Sequence, residues 1–290
     1  MPAEAVAARE VLGANGPLAA HLSGFAPRQE QLELAAAVEQ ALDSQGLLVA
    51  EAGTGIGKTL AYLVPVVQSG QRVIISTGTK NLQDQLYFRD LPVVRAALGD
   101  GLKCALLKGR SNYLCLYRME RSRETGEFPA KSAVSELEAV LEWSTRTADG
   151  DLSLASVISD DSSLWPFVTS TAENCLGTEC PRFEECYVVA ARKKAQDADV
   201  VVVNHHLLFA DMAIKQSGFG EVLPGASAFI VDEAHQAPEI ASQFFSASLS
   251  ARQVSDLCRD ALAEAGKISG GMATVREPVE RCQQALRELQ

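Results

Sequence analysis

The sequence has no apolar run approaching the ~18 residues that a membrane-crossing helix needs. Its start, Met1-Pro2-Ala3-Glu4, lacks the basic residues and apolar stretch of a secretory leader. Together these absences make the cytoplasm the expected compartment. Positive charge is scarce as well: 26 Lys and Arg against 37 Asp and Glu give a net charge of −11. A protein that coats nucleic acid by bulk charge is thereby excluded, whereas an enzyme that confines nucleic acid to a local basic path is not. The seven cysteines are Cys104, Cys115, Cys175, Cys180, Cys186, Cys258 and Cys282, and they include no close Cys-x-x-Cys pair. Their number is odd and the expected compartment reducing, so metal ligation or burial is a better reading than a disulfide framework. Internal repeats are absent. The remaining composition is ordinary: 290 residues, 47% hydrophobic and 22% charged, suffice for one large domain or two smaller ones.

Read along the chain, residues 1–24 are Ala- and Gly-rich with weak periodicity and are expected to form a loose lead-in. Pro27 opens a helical pattern with Leu32, Ala35, Val38 and Leu42 on one face, stopped by Gly46. Leu47–Ala50 reads as a short buried strand running into a glycine-rich turn at 52–57. A helix is expected from Lys58 to Ser69, stopped by Gly70, then a strand at Arg72–Ser76. Thr79–Leu98 reads as a helix broken near Pro92, and Lys103–Leu107 as a third strand. Residues 108–195 change character, with four cysteines, one amphipathic helix near 134–146 and no strong strand. Strands resume at Val200–Val203 and Phe229–Val231, and helical spacing follows Pro238. Alternating strands and helices imply an α/β fold with a parallel sheet covered on both faces. The cysteine segment then looks like an insertion into it.

Ala52-Gly53-Thr54-Gly55-Ile56-Gly57-Lys58-Thr59 follows an apolar run and opens a helix, the context of a phosphate loop. Glycines let backbone N–H groups curl around phosphate oxygens, and the helix N-terminus adds partial positive charge. Lys58 would reach the β- and γ-phosphates and the Thr59 hydroxyl would ligate Mg²⁺. Phe229-Ile230-Val231-Asp232-Glu233-Ala234-His235 is an apolar strand ending in two carboxylates. At a strand's carboxyl end they face the phosphate loop, where Asp232 can hold Mg²⁺ and Glu233 can orient or deprotonate water. His235 is placed to relay between nucleotide and nucleic acid.

The pairing of that loop with Asp-Glu-Ala-His resembles the superfamily-2 helicases of DEAH type, and more closely the iron–sulfur DinG/YoaA group related to XPD. The resemblance implies a RecA-like P-loop sheet domain with an inserted four-cysteine iron–sulfur domain and the start of a helical, Arch-like insertion. Its divisions fall at 1–24, 25–107, 108–195, 196–240 and 241–290. Arg28-Gln29-Glu30-Gln31 matches the family's adenine-reading element, which implies Arg28 and Gln31 as nucleotide contacts. Ser76-Thr77-Gly78-Thr79 with Leu82-Gln83-Asp84 matches its strand-backbone motif, which implies DNA contacts from Thr77, Thr79 and Gln83. Asn204-His205-His206-Leu207-Leu208 matches another family segment and reads first as structural.

Cys115 stands alone, with 59 residues between it and Cys175-x4-Cys180-x5-Cys186. Four thiolates can hold a cubane cluster or a tetrahedral zinc, and spacing alone leaves both open. The run Lys108-Gly109-Arg110-Ser111-Asn112-Tyr113-Leu114-Cys115 resembles the family's approach to its first cluster cysteine, which implies [4Fe–4S] in an otherwise core-poor insertion. Lys103, Lys108, Arg110, Arg118, Arg121 and Arg123, interleaved with Tyr113 and Tyr117, suit a single strand of DNA, with Lys108, Arg110 and Tyr113 the foremost candidates. Arg192-Lys193-Lys194 is a second basic cluster. Cys104, Cys258 and Cys282 occupy apolar positions and read as core.

No Ser-Ala-Thr coupling motif and no closing Gln-x-x-Gly-Arg segment occur, so the second motor domain is expected to lie outside this chain. The resemblance thus implies part of an ATP- and Mg²⁺-dependent DNA helicase, moving 5′→3′ on single-stranded or forked DNA in repair or replication. Alone, such a chain should bind nucleotide, hydrolyse it poorly and act as a monomer without translocating. Two rivals are a nucleotide-gated DNA-binding module without turnover and a DEAH-type RNA helicase with a zinc insertion.

Overall fold

The computed structural model describes residues 7–53, 55–99, 101–126, 132–155, 158–159, 161–172, 174–218, 221–245, 251–268 and 270–288. The chain divides into two compact units, Met1–Phe244 and Phe245–Gln290.

The first unit opens with helices α1 (Ala8–Val11) and α2 (Pro17–His21). The expectation of a loose lead-in is corrected over the described residues: Ala8, Val11, Leu12 and Leu18 are fully buried in the main core. Helices of four and five residues are too short to display a period, so the pattern hides them. Helix α3 (Gln29–Ser44) buries Ala35, Val38 and Leu42 on one face, as its spacing predicts. It ends in a Schellman arrangement, with Gly46 N–H donating to Ala41 and Gln45 N–H to Leu42. The left-handed residue there is Gln45 (φ 52°), not Gly46.

Leu47–Ala50 forms no strand, which corrects the reading of a buried one. Leu47 is 94% and Val49 89% exposed, because no described strand pairs with this segment. Helix α4 (Lys58–Ser69) follows the turn and stops at Gly70, whose φ of +62° suits glycine.

Then come strand β1 (Val73–Thr77), helix α5 (Lys80–Gln85), a π-helical turn at Leu86–Asp90 and helix α6 (Leu91–Leu98). The π turn stands where a break near Pro92 is expected, since Pro92 has no N–H to continue the helical ladder. Strand β2 (Cys104–Leu106) leads into the cysteine segment with helices α7 (Leu116–Thr125), α8 (Ser132–Ser144), α9 (Trp165–Val168) and α10 (Tyr187–Gln196). Strand β3 (Val200–Asn204), helix α11 (His205–Gln216), strand β4 (Ala228–Val231) and helix α12 (Ala237–Phe245) complete the unit.

The four strands are parallel in the order β2-β3-β1-β4, with Ile74 opposite Val201 and Ser76 opposite Val231. Side chains alternate between faces along a strand. Val73, Ile75, Val200 and Val202 therefore join the core beneath α3, α4 and α6. Ile74, Val201 and Val203 join the opposite core with Ala195, Leu208 and Leu223. β1 and β3 are buried throughout, whereas β4 alternates between half-buried and exposed because one of its edges is unpaired among the described residues. The cysteine segment is not core-poor: Leu114, Met119, Leu137, Val140, Leu164 and Val168 form a third apolar cluster. In the second unit, α13 (Ala251–Ala265) packs on α14 (Gly271–Glu288), burying Cys258, Ala265 and Val279.

Candidate active site

The carboxyl ends of the parallel strands converge where ligands bind in open α/β sheets. The turn before α4 has Gly55 and Gly57 at φ of +79° and +87°, a region where a side chain is strained. Arg28 donates from its guanidinium to the Gly55 carbonyl, and Gln31 Nε2 donates to the Gly57 carbonyl at 3.1 Å. A Cβ on Gly57 would run into the Gln31 amide. Both residues expected at the adenine thus brace the phosphate turn here. Thr54 lies outside the described residues, and Gly53 precedes it in the same turn.

Lys58 Nζ lies 3.2 Å from Glu233 Oε1, so the loop lysine and the acidic pair meet, as their types predict. Asp232 is held on both sides. Its N–H donates to the Ser76 carbonyl at 2.8 Å, and its Oδ2 accepts from Tyr62 Oη at 3.1 Å. Tyr62 also contacts the Thr59 side chain, and burial first, then Asp232, pushes its phenol well above the ordinary range. A single hydroxyl therefore joins the two expected Mg²⁺ ligands, Thr59 and Asp232. Tyr62 escaped the sequence reading; the available signal was its place one turn after Thr59 on the same helix face. Glu233 adopts a left-handed backbone (φ 55°, ψ 43°), its N–H donates to Asp232 Oδ1 at 3.0 Å, and His235 Nδ1 lies 3.5 Å from its Oε2. Lys58, Tyr62, Asp232, Glu233 and His235 line one cavity of about 750 Å³, within the size range of small-molecule sites.

The residues expected to touch DNA fare differently. Thr79 is exposed, and its Oγ1 accepts from Leu82 N–H as the cap of α5. Four others are corrected, being buried and engaged by protein. The Thr77 hydroxyl donates to the Thr79 carbonyl. Gln83, fully buried, donates to the Leu107 and Val202 carbonyls at 2.9 and 3.1 Å, tying β2 to β3. Lys108, with a side chain only 1% exposed, pairs with Asp84 at 2.7 Å and Asp151 at 2.8 Å and donates to Ser153 Oγ at 2.7 Å. Tyr113 is buried, its oxygen accepting from Lys108 N–H at 3.1 Å. Lys108 therefore fastens the cysteine segment to α5 instead of meeting a strand.

Arg110 lies elsewhere, in a cavity of about 560 Å³ lined by Cys115, Cys175, Cys180 and Cys186, together with Arg118, Arg182 and Arg192. All four expected ligands thus share one cavity, although among the described residues no three His, Cys, Asp or Glu side chains are gathered tightly enough to hold a metal ion. Cys115 and Cys186 each stand at the N-cap of a helix, α7 and α10. Burial pushes the Cys115 thiol up. Cysteines beside arginines and helix N-termini suit a metal–thiolate group whose net charge is negative. No described helix is long and apolar enough to cross a membrane.

Comparison with known proteins places this arrangement. The DEAD/DEAH box helicase family model matches residues 33–112, and the DEAD_2 model matches residues 163–254. The chain is 54% identical over 250 residues to the ATP-dependent DNA helicase YoaA of Haemophilus influenzae, covering 86% of this chain and 39% of that protein. It is 54% identical over 246 residues to Escherichia coli YoaA, covering 85% of this chain and 39% of that protein. Against the ATP-dependent helicase DinG of Mycobacterium tuberculosis, identity is 39% over 236 residues, covering 73% of this chain and 35% of that protein. The chain thus spans about two fifths of the length of the YoaA proteins it matches. On these matches the chain belongs to the DEAD/DEAH-box helicases, in the group that contains YoaA and DinG.

Proposed function

We propose that the chain is the nucleotide-binding part of an ATP-dependent DNA helicase, and that its cysteine segment carries a [4Fe–4S] cluster. The observation that carries the nucleotide reading is the meeting of Lys58, Tyr62, Asp232 and Glu233 at one cavity, with the Thr59 side chain joined to Tyr62. Lys58 and the backbone of Gly53, Gly55 and Gly57 would cradle the phosphates, with Thr54 in the same loop. Thr59 and Asp232 would hold Mg²⁺, their oxygens spaced by the Tyr62 hydroxyl. Phosphate oxygens compete for Lys58, releasing Glu233 to accept a proton from the attacking water or to orient it. Arg28 and Gln31 would keep the turn shaped while the adenine arrives. Thr79 and Arg110 remain the candidate contacts to single-stranded DNA, with duplex forks and repair or replication as the setting. Replacing Asp232 with asparagine should weaken Mg²⁺-dependent binding of ATP more than Mg²⁺-free binding; an equal loss in both would remove Asp232 from the metal site.

Cys115, Cys175, Cys180 and Cys186 are the residues that would hold the cluster, inside a cavity whose arginines offset its negative charge. The cluster would supply a covalent tie among four points of the segment and a one-electron redox centre. Purified without oxygen, the chain should contain about four irons and four sulfides, and a Cys175→Ser variant should lose most of both. Zinc without sulfide would replace the cluster by a structural metal and leave the nucleotide site standing.

A further inference from the structure

Two turns at the carboxyl end of the sheet meet at a glycine. One leaves β1 through Thr77, Gly78 and Thr79 and opens α5. The other leaves β4 through Asp232 and Glu233 and closes in a tight helical turn at Ala234–Gln236. Gly78 is buried, although Thr79 beside it is exposed. Its φ lies outside the left-handed region, so alanine could adopt the same backbone. Glycine is needed there for close approach, not for conformation. The three atoms nearest to where a Cβ would stand all belong to the Gln236 carboxamide, with Cδ at 2.8 Å and Nε2 at 3.1 Å. The Gln236 side chain therefore lies across the Gly78 backbone. The contact is one of shape, since the carboxamide makes no hydrogen bond among the described residues.

At its other end Gln236 is joined to the acidic pair. Its N–H donates to the Glu233 carbonyl at 3.0 Å, and Glu233 N–H donates to Asp232 Oδ1 at 3.0 Å. Glu233 holds a left-handed backbone (φ 55°), a strained state that persists only where its surroundings fix it. Where the turn behind it is seated therefore decides where its carboxylate stands. His235, the expected relay, turns to the nucleotide side, its ring 70% exposed and 3.5 Å from Glu233 Oε2. Gln236, next along, faces the strand side. There Gly78 is flanked by Thr77, whose hydroxyl donates to the Thr79 carbonyl at 3.2 Å, and by Thr79, the exposed candidate contact to DNA. A ligand that shifts Thr79 shifts the surface on which Gln236 rests.

We infer that Gln236 is a positioning residue that couples the two sites: seated on Gly78, it ties where Thr79 stands to where Glu233 stands, so that a bound single strand alters ATP binding. It acts through Gly78 and Glu233 and touches neither ligand. The inference rests on the nucleotide site proposed above and on Thr79 as a strand contact. Coupling between two sites is reciprocal, so ATP alters strand binding by the same factor.

The test titrates a fluorescent ATP analogue with Mg²⁺ into the full 290-residue chain, with and without saturating single-stranded oligothymidylate. In the wild type the oligomer should change ATP affinity by about fivefold or more, the low end of ordinary coupling between sites. Gln236→Ala should reduce that change to within about twofold, while the affinity for each ligand alone and the Tm stay. Gln236→Met keeps the length and loses the amide, and should retain most of the change. Gly78→Ala adds the Cβ that Gln236 excludes and should act like Gln236→Ala. The two alanines together should cost no more than either alone, because both break one contact. The inference is overturned if the wild type binds the two ligands independently, if Gln236→Ala keeps the full change, if methionine loses as much as alanine, or if each separate affinity falls along with the Tm. Should Gly78→Ala fail to fold, the alanine–methionine contrast at the half-buried Gln236 decides alone. A Lys58→Ala control that binds ATP like the wild type would instead overturn the nucleotide site. A wild type that binds no oligomer would overturn the strand reading, and either result would take this inference with it.

Discussion

Replacing Lys108 with methionine should destabilise the chain by about 3–5 kcal/mol, the loss typical when one partner of a buried ion pair is removed. The side chain is 1% exposed and sits between Asp84 and Asp151, the latter 5% exposed. Methionine fills the stem's volume but leaves two carboxylates facing each other without a cation. Ser153 Oγ loses its donor, although it still donates to Asp151 Oδ1 at 2.9 Å. For a chain of this size the expected fall in Tm is roughly 6–20 °C, at about 2–4 °C per kcal/mol. Circular dichroism during heating, or a urea titration, reads it directly. Adding Asp84→Asn and Asp151→Asn to the methionine variant should recover part of the loss, because it removes the uncompensated charge. A fall below about 1 kcal/mol would match a solvated surface pair and return Lys108 to the list of strand contacts.

The second large effect concerns affinity. Lys58→Ala should weaken binding of Mg²⁺–ATP by about ten- to a hundredfold, since a charge-assisted hydrogen bond is worth roughly 1.5–3 kcal/mol. The variant also strips Glu233 of its cation at 3.2 Å. Its thermal stability should change little without nucleotide, because both side chains are about a third exposed and such pairs contribute weakly. Titration of a fluorescent ATP analogue measures the affinity, and ATP-induced stabilisation in a thermal scan provides a second reading. Binding within twofold of wild type would remove Lys58 from the phosphates.

The nucleotide side was readable because its chemistry is local. Phosphate cradling requires glycines, a cation and a hydroxyl within a few consecutive residues, and α4 begins and ends where Lys58, Ser69 and Gly70 predict. The acidic pair was readable for a related reason: an apolar strand delivers Asp232 and Glu233 to the same sheet end. Long-range pairing was not readable. Lys108 looks like any basic residue near a tyrosine until Asp84, well before it, and Asp151, well after it, arrive in space. Tyr113 reads as a stacking platform only because the sequence does not show that its hydroxyl caps Lys108 N–H. Leu47–Ala50 has the composition of a buried strand, yet composition records only that a segment needs a partner, not that one is present. Tyr62 is invisible for the opposite reason: it acts on Asp232 from behind, and a single tyrosine in an apolar stretch carries no pattern.

The open side of β4 has a consequence for handling the protein. Among the described residues one edge of this strand leaves its N–H and C=O groups unpaired, and with exposed Phe229, Val231 and Leu47 beside it such an edge is adhesive. Like edges on separate copies can zip together, and the net charge of −11 is the main force holding those copies apart. Salt shortens the reach of that repulsion, to about 3 Å at 1 M. Concentrated brine, which usually calms a protein that binds nucleic acid, would here draw copies into clumps, and dilute buffer would keep them apart.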